Sequence, residues 1–329
     1  MNKITVSAPG KLMLLGEHAV VYNHPCLVTA VDQRMRATVE TLPRLEFQLE
    51  AEDVKVTGYK KPFSELGVGD IPKGAKFVEI AVKNLLERSR NKFGTTWKTG
   101  IRVITKSEFS SQFGFGSSSA STVCTIKAIS ELLKLKLSNK EIFDIAFKTV
   151  LDIQGKGSGF DVAAAVYGGT LYFVTGGKVI EPLEISTLPL LVGYSGIKAD
   201  TVTLINKVKE AFKGKEKRLE EIYKQIASLV EKARTALLIK DWKEFGKLMN
   251  QNQEYLRELG VSIPKLDDMI NISLSKGAYG AKLSGAGGGD CMIVVCPKDK
   301  ELLVKAGISQ VGGQVIGVKT NAEGVKVEK

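Results

Sequence analysis

Histidine and cysteine are scarce in this chain of 329 residues, which has two histidines and four cysteines. The cysteines lie far apart or inside apolar segments, and no pair has zinc-ligand spacing with histidines nearby. This scarcity argues against a zinc-centred or disulfide-stapled fold. We expect reduced, mostly buried thiols, as in a cytoplasmic protein, at Cys26, Cys124, Cys291 and Cys296.

Long apolar segments are also lacking. No apolar run reaches the roughly 18 residues that a membrane-spanning helix needs. The chain starts with a strand-like Ile4–Val6 instead of the apolar core of a signal peptide. We therefore expect neither a leader peptide nor a membrane partner.

Acidic residues are outnumbered, since 47 lysines and arginines face 36 aspartates and glutamates, for a formal net charge of +11. The basic residues are scattered along the chain instead of forming one tail or stripe. Charge alone leaves three interpretations open: nucleic acid, a polyanionic small substrate, or an ordinary solvated surface. Aromatic residues do not interleave with a basic strand face, which disfavours RNA binding.

The periodicity of apolar residues indicates two domains of mixed helix and strand. The junction is expected near Gly176-Gly177 and Pro182, which gives domains 1–184 and 185–329. Strands are predicted at 4–8, 26–31, 37–42, 46–50, 101–105, 170–175, 190–194, 281–284 and 291–295. Helices are predicted at 76–90, 118–135, 139–153, 161–167 and around 219–237 and 242–249, with a helix and a strand at the end.

A glycine- and serine-rich segment, Gln112–Ala120, is the strongest indication of function. Gly114 and Gly116 allow close backbone approach, and Ser117–Ser119 open a helix with an apolar stripe. Free N–H groups at a helix N-terminus, together with the macrodipole, favour an anion. The segment is neither a Walker A loop nor a G-x-G-x-x-G motif. We expect it to bind a phosphate group.

Three further segments combine glycine with a chemically active side chain. Lys11 follows Pro9-Gly10 at the expected end of a strand, where its ammonium could reach a phosphate. Lys282–Asp290 carries four glycines between two predicted strands, which indicates a backbone that passes close to a ligand. Asp161 opens an alanine-rich helix after a flexible loop. Taken singly, each has an ordinary explanation: a surface lysine, a hairpin loop or an N-cap aspartate.

Together, the four segments resemble the motifs of the GHMP kinases in their typical order: Ala8–Lys11, Gly114–Ser118, Ser158–Asp161 and Leu283–Gly289. The resemblance extends over essentially the whole chain. It implies an α+β fold with two domains, the first like ribosomal protein S5 and the second ferredoxin-like and helix-rich. It also implies a phosphotransferase that uses ATP and Mg²⁺ on a phosphorylated small molecule, as a monomer or homodimer and without nucleic acid.

The same resemblance assigns roles to individual residues. Lys11 would stabilise charge on the transferring phosphoryl group, Asp161 would activate or orient the acceptor, and Ser118 would contact Mg²⁺. Val150 occupies the position of the family's magnesium-binding glutamate, which leaves Asp152 as a candidate ligand. The nucleotide phosphates would lie along Gly114, Phe115, Gly116, Ser117, Ser118 and Ser119. The acceptor would contact Glu17, His18, Ser158, Gly159, Ser195, Gly285, Ala286 and Gly287.

Family members differ in their acceptor, and the segments point in two directions. Leu14–Tyr22 and Leu248–Ser262 resemble mevalonate kinases, whereas Gln154–Gly168 resembles phosphomevalonate kinases. Because the Asp161 loop should touch the acceptor, we expect phosphorylation of 5-phosphomevalonate to 5-diphosphomevalonate, with mevalonate phosphorylation as the alternative. A phosphate acceptor is already largely ionised at neutral pH, so Asp161 would then orient it and need not be a strong base. A diphosphomevalonate decarboxylase is a more distant alternative.

Overall fold

Two β-sheets and the helices that cover them make up the structure, a computed structural model that describes residues 3–94, 97–186 and 188–328. Strands β1 to β12 run over Lys3–Leu15, Pro25–Leu42, Glu46–Ala51, Val56–Pro62, Gly100–Ser107, Thr170–Val174, Val179–Leu183, Leu190–Tyr194, Gly280–Ser284, Cys291–Val295, Gln314–Ile316 and Lys326–Val327. Helices α1 to α9 run over Lys76–Phe93, Ser117–Leu132, Asn139–Gln154, Phe160–Tyr167, Thr201–Ala211, Glu216–Leu238, Trp242–Glu258, Pro264–Ser275 and Glu301–Gln310.

The first sheet follows the order β12-β1-β2-β5-β3-β4, and β6 and β7 extend it from β2. Its pairs are antiparallel apart from the parallel β3–β5 pair. The two long strands β1 and β2 are paired along nearly their whole length, from Lys3 opposite Glu40 to Leu15 opposite Leu27. Helices α2 and α4 pack against these two strands, and α1 and α3 pack against α2. The first core therefore lies between β1–β2 and α2.

Strand β1 continues past the point where the sequence predicts its end. Its register on β2 shifts between Pro9 and Gly10, a bulge that accommodates a residue without an N–H group. The predicted strand end at Pro9-Gly10 is therefore wrong, and Lys11 lies inside a strand. The Lys11 N–H donates to the Phe115 carbonyl at 3.0 Å, which joins β1 to the segment Gly114–Ser119, here named the glycine-serine loop.

The second sheet has the antiparallel order β11-β8-β10-β9, with α7, α8 and α9 packed against it. Helix α6 contacts both α7 and β2 and so connects the two sheets. Its apolar stripe explains this position, because Ile222, Ile226 and Val230 are fully buried. The sheets also meet where the Ser284 hydroxyl accepts from the Met13 N–H at 3.0 Å and donates to the Met13 carbonyl at 2.9 Å.

The α+β class expected from the sequence is confirmed, and all four cysteines are buried and free. No helix in the described part of the chain is long and apolar enough to cross a membrane. The domain boundary after residue 184 stays a prediction. The end of the chain returns to the first sheet, however, where Val327 pairs with Val6 and Thr320 bridges to Val31.

Candidate functional site

A cleft of about 220 Å³ opens between the first sheet, its helices and the second half of the chain. Its lining comes from β1 and from residues 17–21, 111–118, 150–161, 198–205 and 285–290. These ranges include parts of the four segments that the sequence analysis singled out, those around Lys11, Gly114–Ser118, Ser158–Asp161 and Leu283–Gly289, and in the structure the four segments meet. The segment before α5, which contains Lys198, adds a wall beside them.

The glycine-serine loop delivers the N-terminus of α2 to this cleft. Gly116 has a left-handed φ of 79°, so the chain turns sharply and the helix begins at Ser117. The first N–H groups of a helix lack acceptors within it, and no side chain of the described residues caps this end. A Cβ at Gly116 would lie 3.4 Å from the Lys11 side chain, so the missing side chain leaves room for close approach. This geometry suits an anion such as a phosphate.

Lys11 lies on the floor of the cleft and is almost completely buried. Its ammonium donates to the Gly114 carbonyl at 2.8 Å and lies 5.3 Å from the centre of the Phe160 ring. Burial lowers the pKa of Lys11, whereas Asp161 and Asp290 favour the charged form and partly offset the shift. The carbonyl satisfies one of the three donors of the ammonium, which leaves the others for a bound anion.

Asp161 is held beside Lys11 by hydrogen bonds that sequence reasoning missed. The Ser119 hydroxyl donates to Asp161 Oδ2 at 2.7 Å, and the Val162 N–H donates to Oδ1 at 3.0 Å. Gly159, with a φ of 91°, precedes α4 and directs its first turn into the cleft. Ser119 is therefore the residue that links the glycine-serine loop to the carboxylate.

Glu17 and His18 follow the end of β1 and contact residues of the second half of the chain. Glu17 is fully buried, forms an ion pair with Lys282 and accepts from the Asn252 amide at 3.3 Å. His18 has a φ of 60° and a ψ of −51°, a positive-φ conformation that is strained for a non-glycine residue. His18 Nε2 lies 2.8 Å from the Ala286 carbonyl, and burial lowers the pKa of the ring.

The Ala286 contact selects a tautomer of His18. A carbonyl only accepts, so Nε2 carries a proton, and the lowered pKa favours the neutral ring, in which Nδ1 is an acceptor. Within the described residues, Nδ1 is buried without a hydrogen-bond partner. His18 lines the cleft, but this nitrogen itself is buried beneath the cleft surface.

Four predicted site residues do not line the cleft. Phe115 is buried in an aromatic cluster with Phe109 and Phe113, because the backbone that exposes Gly114 and Gly116 turns this side chain inward. Ser119 bonds to Asp161 as described. The two others shape loops: the Ser195 hydroxyl contacts the backbone of Ile197, and Gly287 packs on the Val261 carbonyl.

The remaining predicted residues lie in the cleft wall, namely Gly114, Gly116, Ser117, Ser118, Ser158, Gly159, Gly285 and Ala286, together with Lys11, Glu17, His18 and Asp161. Phe160 and Asp290 also line the cleft, although neither is among the predicted site residues. Phe160 is adjacent to Asp161 in the sequence, and Asp290 ends the glycine run, so proximity to a motif is the only sequence signal for either residue.

The described residues contain no cluster of three or more acidic, histidine or cysteine side chains that could hold a metal ion. Val150 lines the cleft with an apolar side chain. Asp152 does not substitute for the missing glutamate, because its carboxylate accepts from Asn84 at 2.9 Å and from Lys148 at 2.6 Å, outside the cleft lining. Mg²⁺ prefers few protein ligands and several phosphate or water oxygens, so a site with Ser118 and nucleotide phosphates fits this donor set.

Comparison with known proteins supports a kinase and favours the alternative acceptor over the expected one. The chain is 35% identical to the mevalonate kinase of Pyrococcus furiosus over 99% of both sequences. It also matches the crystal structure of the Methanococcus jannaschii mevalonate kinase, with a TM-score of 0.80, 29% identity and coverage of 97% and 98% of the two chains.

The expectation of a phosphorylated acceptor is wrong on this evidence. The phosphomevalonate kinase of Streptococcus pneumoniae has the same TM-score of 0.80, with coverage of 97% and 100%, but only 17% identity, which shows the fold alone. Further Thermococcus and Pyrococcus relatives that are 34–35% identical are also mevalonate kinases. The resemblance around Asp161 covers a short loop rich in glycine and alanine, whose composition is dictated by backbone geometry as much as by the acceptor.

Both halves of the chain match models of one family. The GHMP kinase N-terminal domain matches residues 76–169, which contain the glycine-serine loop and Asp161. The GHMP kinase C-terminal domain matches residues 216–313, which contain the second glycine run. The cleft lies between these two parts. The chain belongs to the GHMP kinase family.

Proposed function

We propose that this protein phosphorylates mevalonate with ATP and forms 5-phosphomevalonate and ADP. The observation that carries the proposal is the similarity of almost the whole chain to archaeal mevalonate kinases. The cleft supports it, because an aspartate, a buried lysine and an open helix N-terminus meet there. The cytoplasmic location and the oligomeric state expected from the sequence stay predictions.

The donor side of the reaction is assigned to the glycine-serine loop. The N-terminus of α2 would bind the nucleotide phosphates through backbone N–H groups, as helix N-termini commonly do. Ser118 would hold Mg²⁺ together with phosphate oxygens, and the bound ion would neutralise part of their charge. The Lys11 ammonium, which faces this loop, would stabilise the negative charge that spreads over the phosphoryl group during transfer.

The acceptor side is assigned to Asp161. A neutral alcohol must lose its proton when its oxygen forms the new bond to phosphorus and the bond to the leaving ADP oxygen breaks. The Asp161 carboxylate would take this proton. The hydrogen bond from the Ser119 hydroxyl to Asp161 Oδ2, 2.7 Å long, holds the carboxylate in place. Lys11 beside it would stabilise the developing alkoxide.

The test offers the purified protein MgATP with mevalonate, 5-phosphomevalonate or 5-diphosphomevalonate in separate reactions, while ADP and CO₂ are measured. We expect ADP with mevalonate alone and no CO₂. Turnover of 5-phosphomevalonate without turnover of mevalonate would contradict the proposal. Asp161→Asn should lower kcat by about 10²–10⁴, the usual contribution of a positioned base. A loss below about tenfold, or 1.4 kcal/mol, would show that Asp161 is not an essential base.

A further inference from the structure

Lys198 is a cleft residue with no role in the proposal so far. It lies between β8 and α5 and lines the same cleft as the Asp161 loop. Its side chain is 50% exposed, and its ammonium lies 3.4 Å from Asp290 Oδ1. This ion pair is long and open to water on one side, the kind of pair that contributes little to stability and is easily exchanged.

Asp290, by contrast, is fixed on every side. Its N–H donates to the Ile197 carbonyl at 2.7 Å, and its carbonyl accepts from the Ser195 N–H at 2.9 Å. Its Oδ1 accepts from the Ala199 N–H at 3.0 Å. The side chain is only 14% exposed. A φ of 55° shows that the chain holds this aspartate in a left-handed conformation to achieve these contacts. The carboxylate is therefore a rigid anchor, and the lysine beside it is the movable partner.

The anchor lies directly against the glycine-serine loop. A Cβ at Gly114 would be 2.5 Å from Asp290 Oδ2, so only glycine permits this approach. The carbonyl of the same Gly114 accepts from the Lys11 ammonium at 2.8 Å. Lys11 thus contacts Gly114 directly, and Lys198 is linked to the same residue through Asp290. Both ammonium groups therefore border the loop that would hold the nucleotide phosphates if the proposed function holds.

The third lysine in the lining, Lys156, is placed differently. Its ammonium contacts the side-chain amide oxygen of Asn206, a neutral partner on α5. Lys156 has no contact with the glycine-serine loop or with the carboxylates beside it among the described residues. The structure therefore selects Lys198 over Lys156 as the cation poised at the reacting groups.

We propose that Lys198 is a second active-site cation, which leaves Asp290 on substrate binding and pairs with an anionic oxygen of a reactant. Before a reactant binds, Asp290 holds the ammonium at the rim and prevents it from folding back onto the protein surface. Two reactant groups have the required chemistry: the terminal phosphate of ATP and the carboxylate of the acceptor. The proposal rests on the proposed kinase function and assigns one further residue to it.

The experiment compares Lys198→Met with Lys213→Met. Lys213 follows α5, has a side chain that is 78% exposed and lies 3.8 Å from Glu210, so the control removes the same charge outside the cleft. Dissociation constants of MgATP and MgADP are measured by calorimetric titration, and KM for mevalonate is measured at saturating MgATP. Thermal unfolding followed by circular dichroism establishes that each variant is folded.

We expect Lys198→Met to raise the dissociation constant of MgATP or the KM for mevalonate by about tenfold or more, because one charge-assisted hydrogen bond is lost. Weaker binding of MgATP with unchanged MgADP assigns Lys198 to the terminal phosphate. A raised KM for mevalonate with both nucleotides unchanged assigns it to the acceptor carboxylate. All three constants within about twofold of those of Lys213→Met, or equal weakening of MgATP and MgADP, would overturn the proposal.

A second variant tests the exchange of partners. Asp290→Asn keeps an acceptor for the Ala199 N–H but removes the competing charge, so the reactant that depends on Lys198 should bind more tightly. The gain must disappear in the double variant with Lys198→Met, and its persistence there would contradict the exchange. Nucleotide binding in the absence of an acceptor does not depend on which acceptor is correct, so failure of this proposal remains distinguishable from failure of the proposed function.

Discussion

Two buried lysines, Lys11 and Lys282, illustrate how similar side chains acquire different tasks. Lys11 is 7% exposed and Lys282 is 0% exposed, and burial lowers the pKa of both. Lys282 forms a direct ion pair with the equally buried Glu17. Lys11 has two carboxylates nearby, but its one hydrogen-bond partner in the described structure is the neutral carbonyl of Gly114.

The difference lies in which donors the protein satisfies. The ammonium of Lys282 donates to Glu17 and to the Leu283 carbonyl, and it is fully buried, so a ligand in the cleft does not reach it. Lys11 keeps free donors and faces the cleft. A buried lysine with a depressed pKa is therefore not in itself a sign of catalysis, and four variants test the distinction, from the largest expected effect to the smallest.

Lys282→Met should cause the largest loss of stability. It leaves the Glu17 carboxylate buried without its partner, which typically costs about 3–5 kcal/mol in the free energy of unfolding. Urea denaturation measures the loss. The double variant with Glu17→Gln should recover part of it, because the unpaired charge is gone. A Lys282→Met protein as stable as the wild type would show that the pair contributes nothing to the fold.

Lys11→Met should have the opposite profile. Removal of one electrostatic stabiliser of the transition state lowers kcat by about 10²–10³, or roughly 2.7–4 kcal/mol. Stability should change by less than about 1 kcal/mol, because no direct ion pair is broken and a desolvated charge is removed. Steady-state kinetics and urea denaturation on one preparation measure both quantities. A stability loss as large as that of Lys282→Met would remove the distinction between the two lysines.

Ser119→Ala tests whether the carboxylate beside Lys11 needs its hydrogen bond. A bond to a charged group contributes about 1.5–3 kcal/mol, so kcat should fall roughly 10- to 100-fold. The matched control is Ser121→Ala, whose hydroxyl donates to the Ser118 carbonyl at 2.9 Å in the same helix. In an Asp161→Asn background the effect of Ser119→Ala should shrink, and an undiminished loss would indicate a role unrelated to Asp161.

Asp290→Asn should produce the smallest change, a shift in the pH profile. Activity requires the charged form of Lys11, so it is present below the pKa of Lys11 and lost as pH rises through it. Burial lowers this pKa and Asp290 counteracts the shift, so loss of the carboxylate moves the alkaline limb of kcat/KM to lower pH. Asp200→Asn serves as the control, since it preserves the N-cap of α5 that accepts from the Thr203 N–H at 2.8 Å. An alkaline limb that does not shift would show that Asp290 does not influence the pKa of Lys11.

The donor side of the cleft was predictable because its signals are local. Glycines at 114 and 116 set the turn, three serines follow, and the apolar stripe of α2 anchors the helix within the next four turns. Each of these features depends on neighbours in sequence. Sequence reasoning did not show that Phe115 and Ser119 are buried outside the cleft lining, because the direction of a side chain at a turn depends on what packs around it.

The acceptor side was harder to predict. The loop 154–168 suggested a phosphorylated acceptor, yet the relatives at 34–35% identity are mevalonate kinases. On this side of the cleft, contacts join distant parts of the chain: the tautomer of His18, for example, depends on the Ala286 carbonyl 268 positions away. No short motif contains that information.

The sequence by itself determined the two-part α+β class, the family and the open helix N-terminus after the glycine-serine turn, since glycine conformation and apolar periodicity act over a few residues. Tertiary structure decided which polar residues meet. It brings Lys11 to Gly114 across 103 positions and Lys282 to Glu17 across 265, and it directs the first lysine into the cleft and the second into the core. Long-range packing selects the partner of each charge, and the partner determines whether the charge supports the fold or remains available for catalysis.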